Sequence, residues 1–401
     1  MLGNNTVLKL RKIVLLALLI CSLAMHALAG DAKKEKAFKK KVTKVLRAQV
    51  MKDAAWAMEQ VPVTVTAALA ERSAGDLHDF YSEGDYWWPN PENPEGPYIQ
   101  RDGMTNPDNF VAHREAMIRF SRVVGALASA YKITGEAKYA QHAFRHLKAW
   151  FVDSATFMRP SLNFAQAIKG KATGRGIGII DTIHLMEVAQ GVLVMENAAE
   201  VDKAAVAGIR NWFSQYLTWL TTHPYGKEEM NWKNNHGTCW AMQVASFARL
   251  TGNQEILNFC RTRYKKVLLP NQMAKNGSFP LELERTKPYG YSIFNLDAMT
   301  MLVHLLSDNQ YNLWGFQTAD GKTIRQSIEF LYPYVEDKSK WPFAKDVMYW
   351  ENWPVAQPFL VLAAKEFNQK IWFKTWKRLE HSPQVAEVIR NLPIRNPLIW
   401  L

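Results

Sequence analysis

The chain has 401 residues, 48% of them hydrophobic, with 49 Lys and Arg against 37 Asp and Glu and a net charge of +12. That is enough apolar material for a large core, and three cysteines cannot form the scaffold of a disulfide-held fold of this size. The basic excess suits a polyanionic partner, although a generally basic surface accounts for it equally well.

The first residues read as an export signal. Lys9, Arg11 and Lys12 precede the apolar run Ile13 to Leu23, and Ala27-Leu28-Ala29 offers small residues ahead of Gly30. The run is too short for a stable membrane span, and no later stretch is long enough. Ile20, bulky where a lipoprotein signal needs a small residue before Cys21, speaks against lipid attachment. Cleavage after Ala29 removes three positive charges and no negative one, so residues 30–401 carry +9. In an exported protein that charge fits an acidic polysaccharide better than nucleic acid. Cys239 and Cys260 remain, enough for at most one bridge.

Lys33 to Lys44 predicts a solvated helix start. Asp85-Tyr86-Trp87-Trp88-Pro89-Asn90-Pro91 predicts an aromatic loop. Met117, Phe120, Val124, Leu127 and Tyr131 recur on one helical face, Thr134-Gly135-Glu136 breaks it, and Tyr139, Ala143, Leu147 and Trp150 resume it. The same helix–turn–helix design returns with Ala245-Ser246 and Thr251-Gly252 in place of Ala128-Ser129 and Thr134-Gly135. Phe279 to Glu284 looks extended. Phe359 to Phe367 and Lys370 to Arg378 predict two more helices. Strand-like alternation is scarce. Repeated hairpins with long aromatic loops predict an all-α fold, an (α/α) toroid forming an incomplete barrel, as one domain over residues 30–401.

Two motifs carry chemistry. Asn234-Asn235-His236 opens the helix Cys239 to Leu250, where backbone N–H groups also point outward and favour an anion. Taken alone, the motif reads first as a helix cap with a structural histidine, since capping is what Asn commonly does there. Arg285-Thr286-Lys287-Pro288-Tyr289-Gly290-Tyr291 adds a guanidinium, whose planar fork suits a carboxylate, and two phenols. A phenol serves as a base only where neighbours lower its pKa from about 10, and Arg285 supplies positive charge for that. Read alone, this is also a surface arginine with two packing tyrosines. Trp87, Trp88, Trp232 and Trp353 sit in loop-like settings where indoles stack on sugar rings, though a typical tryptophan is a core residue. The inventory suits a reaction that neutralises a substrate carboxylate and removes a weakly acidic proton beside it. Gly174-x-Gly176-x-Gly178 lacks dinucleotide spacing, and no zinc or nucleophile-elbow motif occurs, so no cofactor or metal is expected.

Together the motifs resemble the alginate lyase superfamily, the helical-toroid polyuronate lyases. The resemblance runs through His78 to Pro89, Asn163 to Ile168 with Gly174 to Asp181, Asn234 to Thr238, and Arg285 to Asp297. The spacing of Arg285 and Tyr291 is closest to the secreted glucuronan/mannuronan lyase branch. The resemblance implies that Asn235 and His236 neutralise a uronate carboxylate, with Asn234 beside them. It implies that Arg285 holds that carboxylate or lowers the pKa of the phenol. Tyr291 would take the C5 proton and protonate the leaving O4, with Tyr289 as the second candidate; Trp87, Trp88 and Trp232 would contact sugar. The substrate implied is a β-1,4-linked mannuronan or glucuronan, cleaved by β-elimination. Two other readings remain at this level: a toroid glycoside hydrolase with an acid pair from Glu282, Glu284, Asp297 or Glu351, and a non-catalytic acidic-glycan binder. The export signal generates the first test. N-terminal sequencing of protein recovered outside the cytoplasm should begin at Gly30, and cytoplasmic protein retaining Met1 contradicts export.

Overall fold

The computed structural model describes residues 33–401. The expected export signal and its cleavage site lie outside the described residues. Contacts group the described residues into two units, residues 33–47 with 401 and residues 48–400. In the first, residues 33–47 are helical, where the lysine-rich stretch predicts a helix start; that helix, α1, runs over residues 33–58.

The second unit is an (α/α) toroid of helical hairpins, and glycine makes the two corners that the sequence marks. α2 (Ala112–Thr134) and α3 (Ala137–Phe151) meet at Gly135, whose φ is 74° and whose N–H closes on the Tyr131 carbonyl. Then come α4 (Leu185–Met195), α5 (Lys203–Thr222) and α6 (Pro224–Asn231). α7 (Asn235–Thr251) ends at Gly252, again with φ 74°, before α8 (Gln254–Arg263). Glycine takes this left-handed conformation without the Cβ penalty other residues meet. Short helices α9 (Leu269–Gln272) and α10 (Pro280–Leu283) precede α11 (Pro288–Leu306). α12 (Ile324–Glu336), α13 (Pro358–Glu366), α14 (Lys370–Arg378) and α15 (Ala386–Arg390) follow. The helices expected near Phe359 and Lys370 are α13 and α14.

Phe279 to Glu284 departs from expectation. It is not extended: Pro280 opens α10, and the N–H groups of Glu282 and Leu283 bond back to the Phe279 carbonyl at 3.0 and 3.1 Å. A proline whose φ is already helical starts a turn there at little cost. Strand is sparse among the described residues. β1 (Tyr81–Glu83) pairs in parallel with β4 (Phe164–Ala167), and β2 (Trp87–Trp88) of the aromatic loop pairs antiparallel with β3 (Ile99–Gln100) beyond it.

α7 and α11 pack against each other at the centre. Every residue of α11 except His304 is buried, the polar Ser292, Asn295, Asp297 and Thr300 included, which makes it an inner helix. α7 buries Trp240, Met242, Val244, Phe247 and Leu250. Both central helices start at the same place, and their first turns supply the site described below. Cys239 and Cys260 are buried and unpaired, so the single bridge they allowed does not form. No single helix among the described residues is long and apolar enough to cross a membrane.

Phe247 is fully buried between Phe213 and Tyr216, with ring centroids 5.1 and 5.7 Å away. Phe247→Ala should therefore lower unfolding free energy by about 3–5 kcal/mol in a denaturant titration.

Candidate active site

A cleft of about 360 Å³ opens where α7 and α11 begin, closed on one side by the aromatic loop. Asn234 caps α7: its side-chain oxygen accepts the His236 N–H at 3.3 Å. The cap reading of the motif is thus correct for Asn234, yet Asn234, Asn235 and His236 all line the cleft. Capping fixes the first turn, and the first turn aims the next two side chains.

Each of those side chains is backed by a buried carboxylate. Glu282, on α10, accepts the Asn235 backbone N–H at 2.6 Å and its side-chain amide at 2.8 Å. Burial pushes the Glu282 carboxyl up to about 6, against the pull of Asn235. Glu229, on α6, meets His236 Nδ1 at 2.7 Å. It is completely buried, its second oxygen has no hydrogen-bond partner, and burial raises its pKa despite the imidazole beside it. A carboxylate at Nδ1 fixes the ring and leaves Nε2 for the cleft.

Arg285 lies between α10 and α11 and is engaged by Asp102, with Nη2 at 2.8 Å and Nε at 3.3 Å. Thr286 donates to the same carboxylate at 2.9 Å. Burial works against an ionised Asp102, but Arg285 and Thr286 hold it below the usual carboxylate range. The Arg285 guanidinium also lies 4.5 Å from the centre of the Tyr291 ring. Tyr291, in the first turn of α11, faces the cleft and shares a 2.7 Å hydrogen bond with the hydroxyl of Tyr86.

The expectation that Arg285 brings the Tyr291 phenol down is corrected here. Burial dominates and raises its pKa well above the ordinary value, Tyr86 adds to the rise, and Arg285 opposes it only in part. A phenolate taken out of water loses more solvation than one nearby cation returns, particularly a cation already paired with Asp102.

Tyr289 does not reach the cleft. It is fully buried between Trp341 and Trp350, and its hydroxyl donates to the Tyr334 carbonyl at 3.0 Å. Two residues along a helix turn a side chain to nearly the opposite side. Trp87 and Trp232 line the cleft. Trp88 does not: its indole donates to the Met104 carbonyl at 2.8 Å. Trp353 is buried. The carboxylates considered for a hydrolase do not face each other across the cleft. Glu282 and Asp297 are buried and accept backbone N–H groups, Glu351 is exposed near Lys338, and Glu284 lines a neighbouring groove.

Several cleft residues went unassigned in the sequence: Tyr86, Asp102, Gln166, Arg175 and Arg390. Tyr86 and Arg175 stand inside the quoted motifs. Asp102 and Arg390 carry no local signal, because their partners are far away in the chain. Arg390 reaches Asp85 and Glu387 at 2.8 and 2.9 Å, Asp85 also binds Arg114 at 2.8 Å, and Lys287 reaches Glu387 at 2.7 Å. Burial alone would raise Glu387, but Arg390 and Lys287 bring it down to about 2.

The family model for alginate lyase matches residues 64–341. An alginate lyase from Bacteroides ovatus is 30% identical, with a TM-score of 0.78 over 92% of this chain and 97% of that one. Alginate lyase A1-III from Sphingomonas species A1 shares the fold at 15% identity and a TM-score of 0.51, covering 80% of this chain and 86% of its own. A variant of A1-III complexed with a tetrasaccharide gives 14% and 0.54 over the same shares. No curated protein matches. The family and the fold are those of a polysaccharide lyase. The chain belongs to the alginate lyase family.

The two tyrosines generate a discriminating test. Tyr289→Phe removes one hydrogen bond in the core and should cost about 1 kcal/mol of stability while leaving turnover near wild type. A Tyr289→Phe protein that folds but loses most turnover places the phenol of consequence at Tyr289.

Proposed function

We propose that this protein cleaves a β-1,4-linked polyuronate, mannuronan or glucuronan, by β-elimination, and that it acts after export. The observation that carries the reading is the convergence of Tyr291 Oη with Asn235 and His236, each of the latter two oriented by its own buried carboxylate, in one cleft.

The chemistry follows from the charges. Proton loss from C5 builds negative charge on the carboxylate attached to it. Donors from Asn235 and His236, fixed beforehand by Glu282 and Glu229, stabilise that charge without reorganising during the reaction. Tyr291 takes the C5 proton, the electron pair forms the C4–C5 double bond, and O4 leaves with a proton returned by the same phenol. One residue serves both steps because, in β-linked mannuronate or glucuronate, the C5 hydrogen and the O4 bond lie on one face. Arg285, committed to Asp102, acts on the ring of Tyr291 as a fixed positive charge rather than as a free carboxylate fork.

The sign of the pH dependence is set by the raised phenol. Below its folded-state pKa only a small fraction of Tyr291 is ionised, and that fraction grows tenfold per pH unit. Formation of the ultraviolet-absorbing unsaturated end should therefore climb from neutral into the alkaline range. Tyr291→Phe keeps the ring and loses the proton shuttle, so turnover should collapse while polymer binding survives. Asn235→Ala and His236→Ala should each lose about 100- to 1000-fold in turnover with the fold intact. Near-normal turnover in Tyr291→Phe, or a wild type that binds polyuronate without making unsaturated ends, contradicts the mechanism; the second outcome is that of a glycan-binding protein.

A further inference from the structure

Three guanidinium groups line the cleft, and two of them are already neutralised. Arg285 is held by Asp102, and Arg390 by Asp85 and Glu387. Arg175 differs. Its Nε donates to the Gln166 backbone carbonyl at 2.8 Å and its Nη2 to the Gln166 side-chain oxygen at 3.1 Å, both neutral acceptors. Among the described residues no carboxylate lies within ion-pair distance of it. Asp181, Glu228 and Asp85 act on it only from further away, and burial works against its charge.

The backbone around Arg175 is shaped to present it. A Cβ on Gly174 would stand 1.9 Å from the Asn163 carbonyl oxygen, and one on Gly176 would stand 2.7 Å from that of Tyr225. A Cβ on Gly84 would press within 2.9 Å of Arg175 Nη2 itself. Gln166, which supplies both acceptors, adopts φ 50°, a left-handed conformation that costs a residue with a side chain of order 1 kcal/mol or more. The glycine-rich run that has no dinucleotide spacing thus has a different use: close packing that points a cation into a cleft. Trp87 lies beside it, its ring centre 5.8 Å from the Arg175 guanidinium and 5.2 Å from the ammonium of exposed Lys171.

We propose that Arg175 binds a second substrate carboxylate, on the uronate next to the one whose carboxylate faces Asn235 and His236. The proposal rests on the polyuronate reading above. A half-buried guanidinium bonded only to neutral groups gains most from an anion that arrives with its own planar oxygens. The ligand class is therefore a run of at least two consecutive uronates, with Lys171 adding positive charge at the rim.

Steady-state formation of unsaturated product by the full chain tests this. Arg175→Gln should raise KM by about 10- to 100-fold, the range of a charge-assisted hydrogen-bonded contact, with kcat within about threefold of wild type and an unchanged Tm. Its KM should also depend less on salt than that of wild type. Arg175→Lys keeps the charge but loses the fork, and should recover part of the loss. An unchanged KM, or a fall in kcat accompanied by a lower Tm at unchanged KM, overturns the proposal and makes Arg175 a structural partner of Gln166. Failure of Tyr291→Phe to lose turnover indicts the mechanism and leaves the KM comparison valid. A wild type that neither binds nor cleaves any polyuronate overturns the reading of the cleft and this proposal with it.

Discussion

The cleft depends on a chain of buried ion pairs, Arg114–Asp85–Arg390–Glu387–Lys287. It ties α2, the aromatic loop, α15 and the residue before α11 into one cluster. Removing one member of such a chain leaves an uncompensated charge in the interior, which commonly costs about 3–5 kcal/mol. Here the cost would be paid where it matters for function. Asp85 immediately precedes Tyr86, and Lys287 lies four residues before Tyr291, so the two phenols that share a hydrogen bond are anchored at two separate points of the same network. Neutral hydrogen bonds from Asn106 to the Trp87 carbonyl and from Asn109 to the Gly84 carbonyl hold the loop alongside these charges.

A second layer of order comes from carboxylates that do not face the cleft. Glu229 and Glu282 are completely buried, and burial raises the pKa of both. Such groups are costly to a core, and each persists against one cleft side chain: Glu229 at the His236 imidazole, Glu282 at both N–H groups of Asn235. An apolar residue in either place would pack more cheaply and leave the imidazole or amide free to turn. The acids are spent on orientation.

The fold was largely legible in the sequence because helical hairpins declare themselves locally. Apolar patterning located α2, α3 and α13, the recurring hairpin design α7 and a basic helical stretch α14, and Gly135 and Gly252 marked the corners. The misreading at Phe279 to Glu284 came from a segment too short for periodicity to decide, where a proline fixed the outcome. For the site, the Asn-Asn-His and Arg-to-Tyr motifs led to residues that do converge in the cleft. Two adjacent candidates were separable only in three dimensions: Tyr289 and Tyr291 look alike in the sequence, and helix geometry sends one into the core. What could not be read was set by distance along the chain. Asp102 meets Arg285 and Asp85 meets Arg390 only after folding, and the raised pKa of Tyr291 is a property of its burial.

That separation also orders events in time. The wall of the cleft joins Asp85 to Arg390, residues some 300 positions apart, whereas α2–α3 and α7–α8 close between neighbours in the chain. Contacts that span such lengths carry the largest loop-closure cost and form after local hairpins have cut the search. The hairpin scaffold can therefore stand before the pocket does. An intermediate lacking only the α15 contacts would be helical, compact and blind to substrate, so circular dichroism would report a finished protein before catalysis did.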